Sequence, residues 1–106
     1  MSERRDDPKR SGGLALKERV ETKKPPMYKV LIHNDDFTTM EFVIHILKTI
    51  FHLPETEATR ITLHVHQNGV GVAGVYTREI AETRCQKVIA MAQRMEFPLQ
   101  CTSEEA

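Results

Sequence analysis

Two short polar clusters hold the side chains of this 106-residue chain that could do chemistry. One is Asn34-Asp35-Asp36, which offers an amide and two carboxylates, and the other is His64-Val65-His66. Carboxylates and imidazole nitrogens at these positions are groups that could ligate a metal ion. Each cluster also has a purely structural explanation, because Asn and Asp are common turn residues and a histidine at a helix end interacts with the helix dipole.

A metal-dependent reaction is the enzymatic alternative that these clusters leave open. Histidines two residues apart can chelate one ion from a strand, but on a helix they point about 200° apart and cannot. A small metal-dependent hydrolase would have to combine His66 with Asp35 and Asp36. No serine lies in a nucleophile elbow, and neither Cys85 nor Cys101 is next to a histidine in the sequence. We therefore expect no enzyme, no bound metal and no cofactor.

Two further motifs have mainly structural interpretations. The glycine-rich stretch 69–74 lacks the Lys-Ser/Thr pair of a phosphate-binding loop. Its glycines are expected to mark a bulge or a close approach of another backbone. The charged group at the start of the third predicted helix, formed by Arg78, Glu79, Glu82 and Arg84, is typical of a solvated face.

The composition excludes several classes of partner. Lys+Arg and Asp+Glu are 15 each, so the formal charge is zero, which argues against duplex DNA or an anionic membrane as a partner held by charge. No apolar run approaches the roughly 18 residues of a membrane span. Two cysteines fit a reducing compartment. We expect a cytoplasmic, monomeric protein that binds neither nucleic acid nor membrane.

The elements that must position the two clusters follow from hydrophobic periodicity and capping residues. Residues 1–26 are charged and poor in apolar side chains, so they are predicted to be a flexible tail that precedes a core domain over 27–106. Thr38 or Thr39 is expected to cap the first helix, and Pro54 to start the second. The predicted elements are, in order, a strand over 27–32, helices over 39–51 and 54–68, a strand over 70–76, a helix over 78–95 and a strand over 98–102. This β-α-α-β-α-β order predicts an α+β fold in which three helices pack on a small open three-stranded sheet.

Taken together, the motifs resemble one known family, the ClpS adaptors of the Clp ATP-dependent protease. The resemblance runs from Pro26 to Glu104. It is carried by Tyr28-Lys29-Val30, Asn34-Asp35-Asp36, Thr38, Met40-Glu41-Phe42-Val43, His64-Val65-His66, Gly74-Val75-Tyr76-Thr77, Ala81-Glu82-Thr83 and Pro98-Leu99-Gln100-Cys101-Thr102.

The resemblance implies a non-enzymatic adaptor of the N-end rule pathway. Such proteins bind substrates that begin with Phe, Tyr, Trp or Leu and pass them to the hexameric ClpA-type ATPase, whose N-terminal domain they contact. The residues implied to hold the ligand's α-amino group are Asn34, Asp36 and His66. Asp35 is implied to support the peptide backbone.

The resemblance also implies a pocket for the first side chain and a face for the ATPase. The implied pocket residues are Thr38, Met40, Val43, Thr62, Val65 and Leu99. Met40 matches the position that disfavours β-branched Ile and Val. Thr62 departs from the family's usual Met and leaves the width and preference of the pocket open. Glu79 and Arg84 match positions that contact the ATPase, and the tail is implied to engage the ATPase during delivery.

A second alternative remains within the binding modules. It is an L12-like or ubiquitin-ligase-type recognition domain of related fold that binds a different partner. The metal-dependent hydrolase remains the alternative from another class.

Overall fold

The computed structural model describes residues 25–106, and the predicted tail lies almost entirely outside the described residues. The elements are β1 (Met27–His33), α1 (Met40–Thr49), α2 (Glu55–Asn68), β2 (Val70–Thr77), α3 (Arg78–Arg94) and β3 (Gln100–Glu105). The predicted order β-α-α-β-α-β and the α+β class are confirmed. The three strands form one antiparallel sheet in the spatial order β2-β1-β3.

The boundaries of the elements follow from their capping residues. Thr39, not Thr38, is the N-cap of α1, and its Oγ1 accepts a hydrogen bond of 3.1 Å from the backbone N–H of Phe42. Pro54 precedes the first helical residue of α2 as the N-cap. Gly69 ends that helix with φ +89°, a left-handed conformation that glycine adopts without steric cost, and its N–H donates to the carbonyl of Val65.

The last strand begins two residues later and ends three residues later than the sequence predicted. Pairing with β1 begins at Gln100 opposite His33 and continues to Glu105 opposite Tyr28. Pro98 has no N–H to donate to a ladder, so the strand begins only after it. At the other end the N–H of Ala106 donates to the carbonyl of Met27, which extends the contact to the end of the chain.

The core lies between one face of the sheet and the three helices. Alternate residues of the central strand, Val30 and Ile32, are fully buried, and Cys101 of β3 and Ala73 of β2 are buried beside them. Helix α3 contacts all three strands, α2 contacts β2, and α1 contacts α2. This arrangement places the loop between β1 and α1 next to the C-terminal end of α2, where the two polar clusters lie.

Candidate functional site

The loop that follows β1 is tied to the end of α2 by a backbone hydrogen bond. The N–H of Asn34 donates to the carbonyl of Gly69 over 2.9 Å. Gly69 stands immediately after α2, the helix that carries His66. The bond therefore connects the two polar clusters, which are about thirty residues apart in the chain.

Asp35 holds the loop in shape through both of its carboxylate oxygens. Its Oδ1 accepts from the N–H of Phe37 (2.8 Å) and of Thr38 (2.7 Å), and its Oδ2 accepts from the Thr38 hydroxyl (2.7 Å). Partial burial opposes ionisation of Asp35, but the hydrogen bonds from Thr38 and Phe37 outweigh it and lower the pKa of the carboxyl group. The turn is thus built around an ionised Asp35.

A cavity of about 200 Å³ opens between this loop, the start of α1 and the C-terminal half of α2. It is smaller than the roughly 300–1,000 Å³ of clefts that take drug-sized ligands, so it can hold only a small group. Nine residues line it, all of them predicted site residues: Asn34, Asp35, Asp36, Thr38, Met40, Val43, Thr62, Val65 and His66.

The inner part of the cavity is apolar. Thr62 and Val65 are each only 3% exposed, and Val43 is buried as well. The hydroxyl of Thr62 donates to the carbonyl of Ala58 over 2.8 Å, one turn back on the same helix. Because the hydroxyl is paired within α2, Thr62 brings no unsatisfied polar group to the cavity.

The outer part of the cavity is polar. Asn34, Asp36 and His66 are exposed, and all three line the opening together with the half-buried Asp35. The other histidine of the cluster, His64, lies outside the cavity, where its Nδ1 is 3.2 Å from the side-chain nitrogen of Asn68. The helix therefore separates the two histidines, as the spacing predicted.

The metal-dependent hydrolase would need a set of metal ligands, and the part of the chain that the structure describes does not contain one. Within residues 25–106, no three His, Cys, Asp or Glu side chains lie close enough together to hold a metal ion. Asp35 is also engaged by Phe37 and Thr38. Asn34, Asp36 and His66 remain exposed at the opening of the cavity as hydrogen-bonding groups.

Three predicted residues lie away from the cavity. Leu99 is buried in the core and does not line it. Glu79 is exposed in the first turn of α3. Arg84 is half-buried: its Nη1 donates to the carbonyl of Ile50 over 2.7 Å, and its guanidinium carbon is 4.8 Å from the ring centroid of Tyr76. Arg84 thus connects α3 to the C-terminal end of α1.

Gly71 is important for the cavity, but the sequence predicted only that some glycine of residues 69–74 would mark a bulge or a close approach. A Cβ atom built on it would lie 2.6 Å from Cγ2 of Val65, so only glycine lets α2 approach β2 this closely. Because Val65 forms part of the cavity wall, Gly71 positions the wall from behind. The register of β1 against β2 also shifts between Val30 and Leu31, which places the predicted bulge in this glycine-rich strand.

Comparisons with known proteins agree on one class, the adaptor proteins of an ATP-dependent protease. Residues 23–102 match the family described as ATP-dependent Clp protease adaptor protein ClpS. The chain is similar to the ATP-dependent Clp protease adapter protein ClpS of Rhodospirillum centenum, at 51% identity over 98% of this chain and 96% of the relative. It is similar to that of Myxococcus xanthus at 60% identity over 77% of each chain.

A solved structure with the same fold is that of Agrobacterium tumefaciens ClpS2 bound to L-phenylalaninamide. The two share 36% identity with a TM-score of 0.76, covering 78% of this chain and all of the other. The chain belongs to the ClpS family. It is therefore a Clp protease adaptor and not an enzyme. Among residues 25–106, no helix is both long and apolar enough to cross a membrane.

Proposed function

We propose that this adaptor captures proteins whose first residue is Phe, Tyr, Trp or Leu and delivers them to the Clp ATPase for degradation. The observation that carries the proposal is that one small cavity joins exposed polar acceptors to a buried apolar floor. A free chain terminus with a bulky apolar side chain presents the matching pair of groups. Phenylalaninamide, the ligand of the similar ClpS2 structure, also combines a free amino group with a phenyl ring.

The polar opening provides the preference for a chain terminus. An α-ammonium group has three N–H donors and a positive charge, and Asn34, Asp36 and His66 supply an amide oxygen, a carboxylate and an imidazole nitrogen as acceptors. An acetylated terminus lacks the charge and most of the donors, so it leaves these acceptors without partners. The ammonium charge strengthens all three bonds, and Asp36 is the one acceptor among them that also carries a negative charge.

Asp35 is the candidate hydrogen-bond acceptor for the main chain of the ligand. Oδ1 of Asp35 already accepts two bonds, whereas Oδ2 accepts one and retains a free acceptor position. We assign that position to an N–H of the bound peptide. The same carboxylate then holds the loop and aligns the ligand.

The inner cavity provides the preference for a bulky apolar side chain. Transfer of a Phe or Leu side chain from water into such a pocket is worth about 1.5–3 kcal/mol. Met40, at the first position of α1 and 37% exposed, stands at the opening of the cavity. We assign to it the exclusion of Ile and Val, whose branch lies next to the ligand backbone.

Delivery requires a surface for the ATPase, and we assign this to the first half of α3. Glu79 is exposed there, while Arg84 keeps part of its guanidinium free after bonding to Ile50. These residues lie outside the peptide cavity, so one monomer can hold a substrate and contact the N-terminal domain of a ClpA-type ATPase at the same time. We infer that the protein acts in the cytoplasm, together with the protease.

The decisive experiment is a fluorescence titration of the full chain with one labelled peptide that varies only in its first residue. Peptides beginning with Phe, Tyr, Trp and Leu are expected to bind, and the Ala peptide to bind roughly 10–100-fold more weakly because the side-chain burial is lost. Acetylation of the Phe peptide is expected to reduce affinity by about a hundredfold or more. Equal affinity for the free and the acetylated peptide would refute the proposal.

Two variants test the assigned roles separately. Met40→Ala is expected to raise affinity for Ile and Val peptides while Phe binding is retained. His66→Ala removes one of the three acceptors at the opening and is expected to weaken Phe-peptide binding by about tenfold or more. Unchanged affinity would remove His66 from the amino-group site.

A further inference from the structure

Two cysteines that the adaptor function does not use lie against each other between α3 and β3. Cys85 and Cys101 are both buried and both free, and their Sγ atoms are 3.4 Å apart although the residues are 16 positions apart in the chain. The residues that line the peptide cavity all lie between Asn34 and His66. The thiol pair is therefore a separate feature of the molecule.

The pair lies at the base of a groove that a small reagent can enter. The groove runs between α3 and β3, has a volume of about 640 Å³, and is lined by both cysteines together with residues of the exposed faces of the two elements. Cys85 is 6% exposed and Cys101 is 5% exposed. Access is thus limited to small molecules, and a second protein molecule cannot bring its own cysteine to either sulfur.

We propose that Cys85 and Cys101 form an oxidation site that closes into an intramolecular disulfide on reaction with a low-molecular-weight disulfide. A disulfide bond is about 2.05 Å long, so the two sulfurs must approach by roughly 1.3 Å, a distance that small side-chain rotations can supply. The product joins α3 covalently to the edge strand β3. It encloses the end of α3 and the turn that follows it.

The hydrogen bond between the thiols indicates which of the two cysteines reacts first. The S–H of Cys101 donates to Sγ of Cys85, so it stabilises a thiolate on Cys85. Burial raises the pKa of Cys85, and hydrogen bonds from Cys101 and Ser103 offset part of that rise. Burial and the bond that it donates raise the pKa of Cys101 strongly. Cys85 is therefore the attacking residue and Cys101 the resolving one.

The exchange proceeds in two balanced steps. The Cys85 thiolate attacks one sulfur of the small disulfide, whose S–S bond breaks and releases one small thiolate, leaving a mixed disulfide on Cys85. Cys101 then gives up its proton, and its sulfur attacks Sγ of Cys85 and displaces the second small thiolate. The two cysteines lose two electrons and two protons, and the small disulfide becomes two thiols. Because burial keeps both thiols largely protonated, the first step is slow.

The test on the unaltered full chain is a peptide map after incubation with oxidised glutathione. Trypsin cleaves after Arg84, Lys87 and Arg94, so the two cysteines fall in different peptides, 85–87 and 95–106. The expected result is a monomer that is two hydrogens lighter and in which these two peptides are linked. The melting temperature of the oxidised chain is expected to rise by on the order of 10 °C. An unmodified chain, a disulfide-linked dimer or a mixed disulfide that persists would each overturn the proposal.

Two variants test the order. Cys101→Ala is expected to stop at a mixed disulfide on Cys85, whereas Cys85→Ala is expected to leave Cys101 unmodified over the same period. The reverse pattern would overturn the assigned roles. Titration of the oxidised parent with a Phe peptide is expected to show unchanged affinity, because the cavity lies on other elements. A loss of peptide binding on oxidation would contradict the independence of the two sites.

Discussion

Asp35 is the residue that the loop after β1 depends on most directly. Its three hydrogen bonds to Phe37 and Thr38 lower the pKa of its carboxyl group, so the ionised form is the one that the folded state favours. The stability that ionised Asp35 contributes is fully present above pH 3.8, the ordinary pKa of its carboxyl group. It is lost as the pH falls through the lower pKa that this group has in the folded state.

Replacement of this carboxylate gives a prediction about stability and pH. Asp35→Asn keeps an oxygen acceptor but loses the charge and the bond from the Thr38 hydroxyl. We expect it to lower the free energy of unfolding by about 1–3 kcal/mol at neutral pH. Urea unfolding at several pH values should show the difference from the parent shrinking below about pH 4. Asp36→Asn, the same change at the exposed neighbour, serves as the control and should weaken peptide binding rather than stability.

A second prediction about a single residue concerns Thr62 and the preference of the cavity among peptides with different first residues. Its hydroxyl is bonded to Ala58, so we expect it to determine the volume of the cavity and not its polarity. Thr62→Met should therefore reduce affinity for Trp and Phe peptides relative to Leu by about tenfold or more. The matched variant Thr62→Val has nearly the same volume and should leave the ranking unchanged in the same titration. A ranking that changes equally in both variants would show that the hydroxyl, not the volume, matters.

At the scale of elements, the close packing of α2 on β2 determines where the cavity wall stands. Gly71→Ala would place a methyl group 2.6 Å from Cγ2 of Val65, far inside normal contact distance. The helix or the Val65 side chain must move, at a cost of about 1–3 kcal/mol in unfolding free energy. Because Val65 lines the cavity, affinity for a Phe peptide should also fall.

The clash can be separated from other effects by a second substitution. Val65→Ala removes the methyl groups that the new Cβ would meet, so the double variant should be more stable than the sum of the two single losses predicts. Denaturant unfolding of all four proteins measures this coupling. Strict additivity would mean that Gly71 and Val65 do not act on each other.

At the scale of the whole molecule, binding and delivery are expected to depend on different parts of the chain. The cavity is formed entirely by residues between Asn34 and His66, whereas residues 1–24 lie outside the described structure. Deletion of residues 1–24 should therefore leave affinity for a Phe peptide within about twofold, a change well under 1 kcal/mol. Degradation of a substrate beginning with Phe by the assembled protease should nevertheless be lost. A truncated chain that binds peptide poorly would show that the tail contributes to the cavity.

The order of the elements could be predicted from the sequence because it depends on local patterns, whereas the roles of the site residues were expected only from the resemblance to the ClpS family. The β-branched and aromatic residues of β1, the helical spacing in α1, a cap at Thr38 or Thr39 and the stop at Gly69 are each local signals, decided by residues close together in the chain. The extent of β3 could not be predicted in this way. It depends on where the distant strand β1 offers partners, and pairing runs to Glu105 although the local pattern suggested an end at residue 102.

Only the tertiary structure decided which of the predicted residues meet. It brings nine of them around one cavity, places Leu99 in the core instead, and uses Arg84 to connect α3 with α1. These outcomes depend on contacts between segments that are far apart in the chain, such as the bond from Asn34 to Gly69 and the close approach of Gly71 to Val65. A sequence pattern describes the face of each element, but the packing of one face on another sets the distances that a binding site requires.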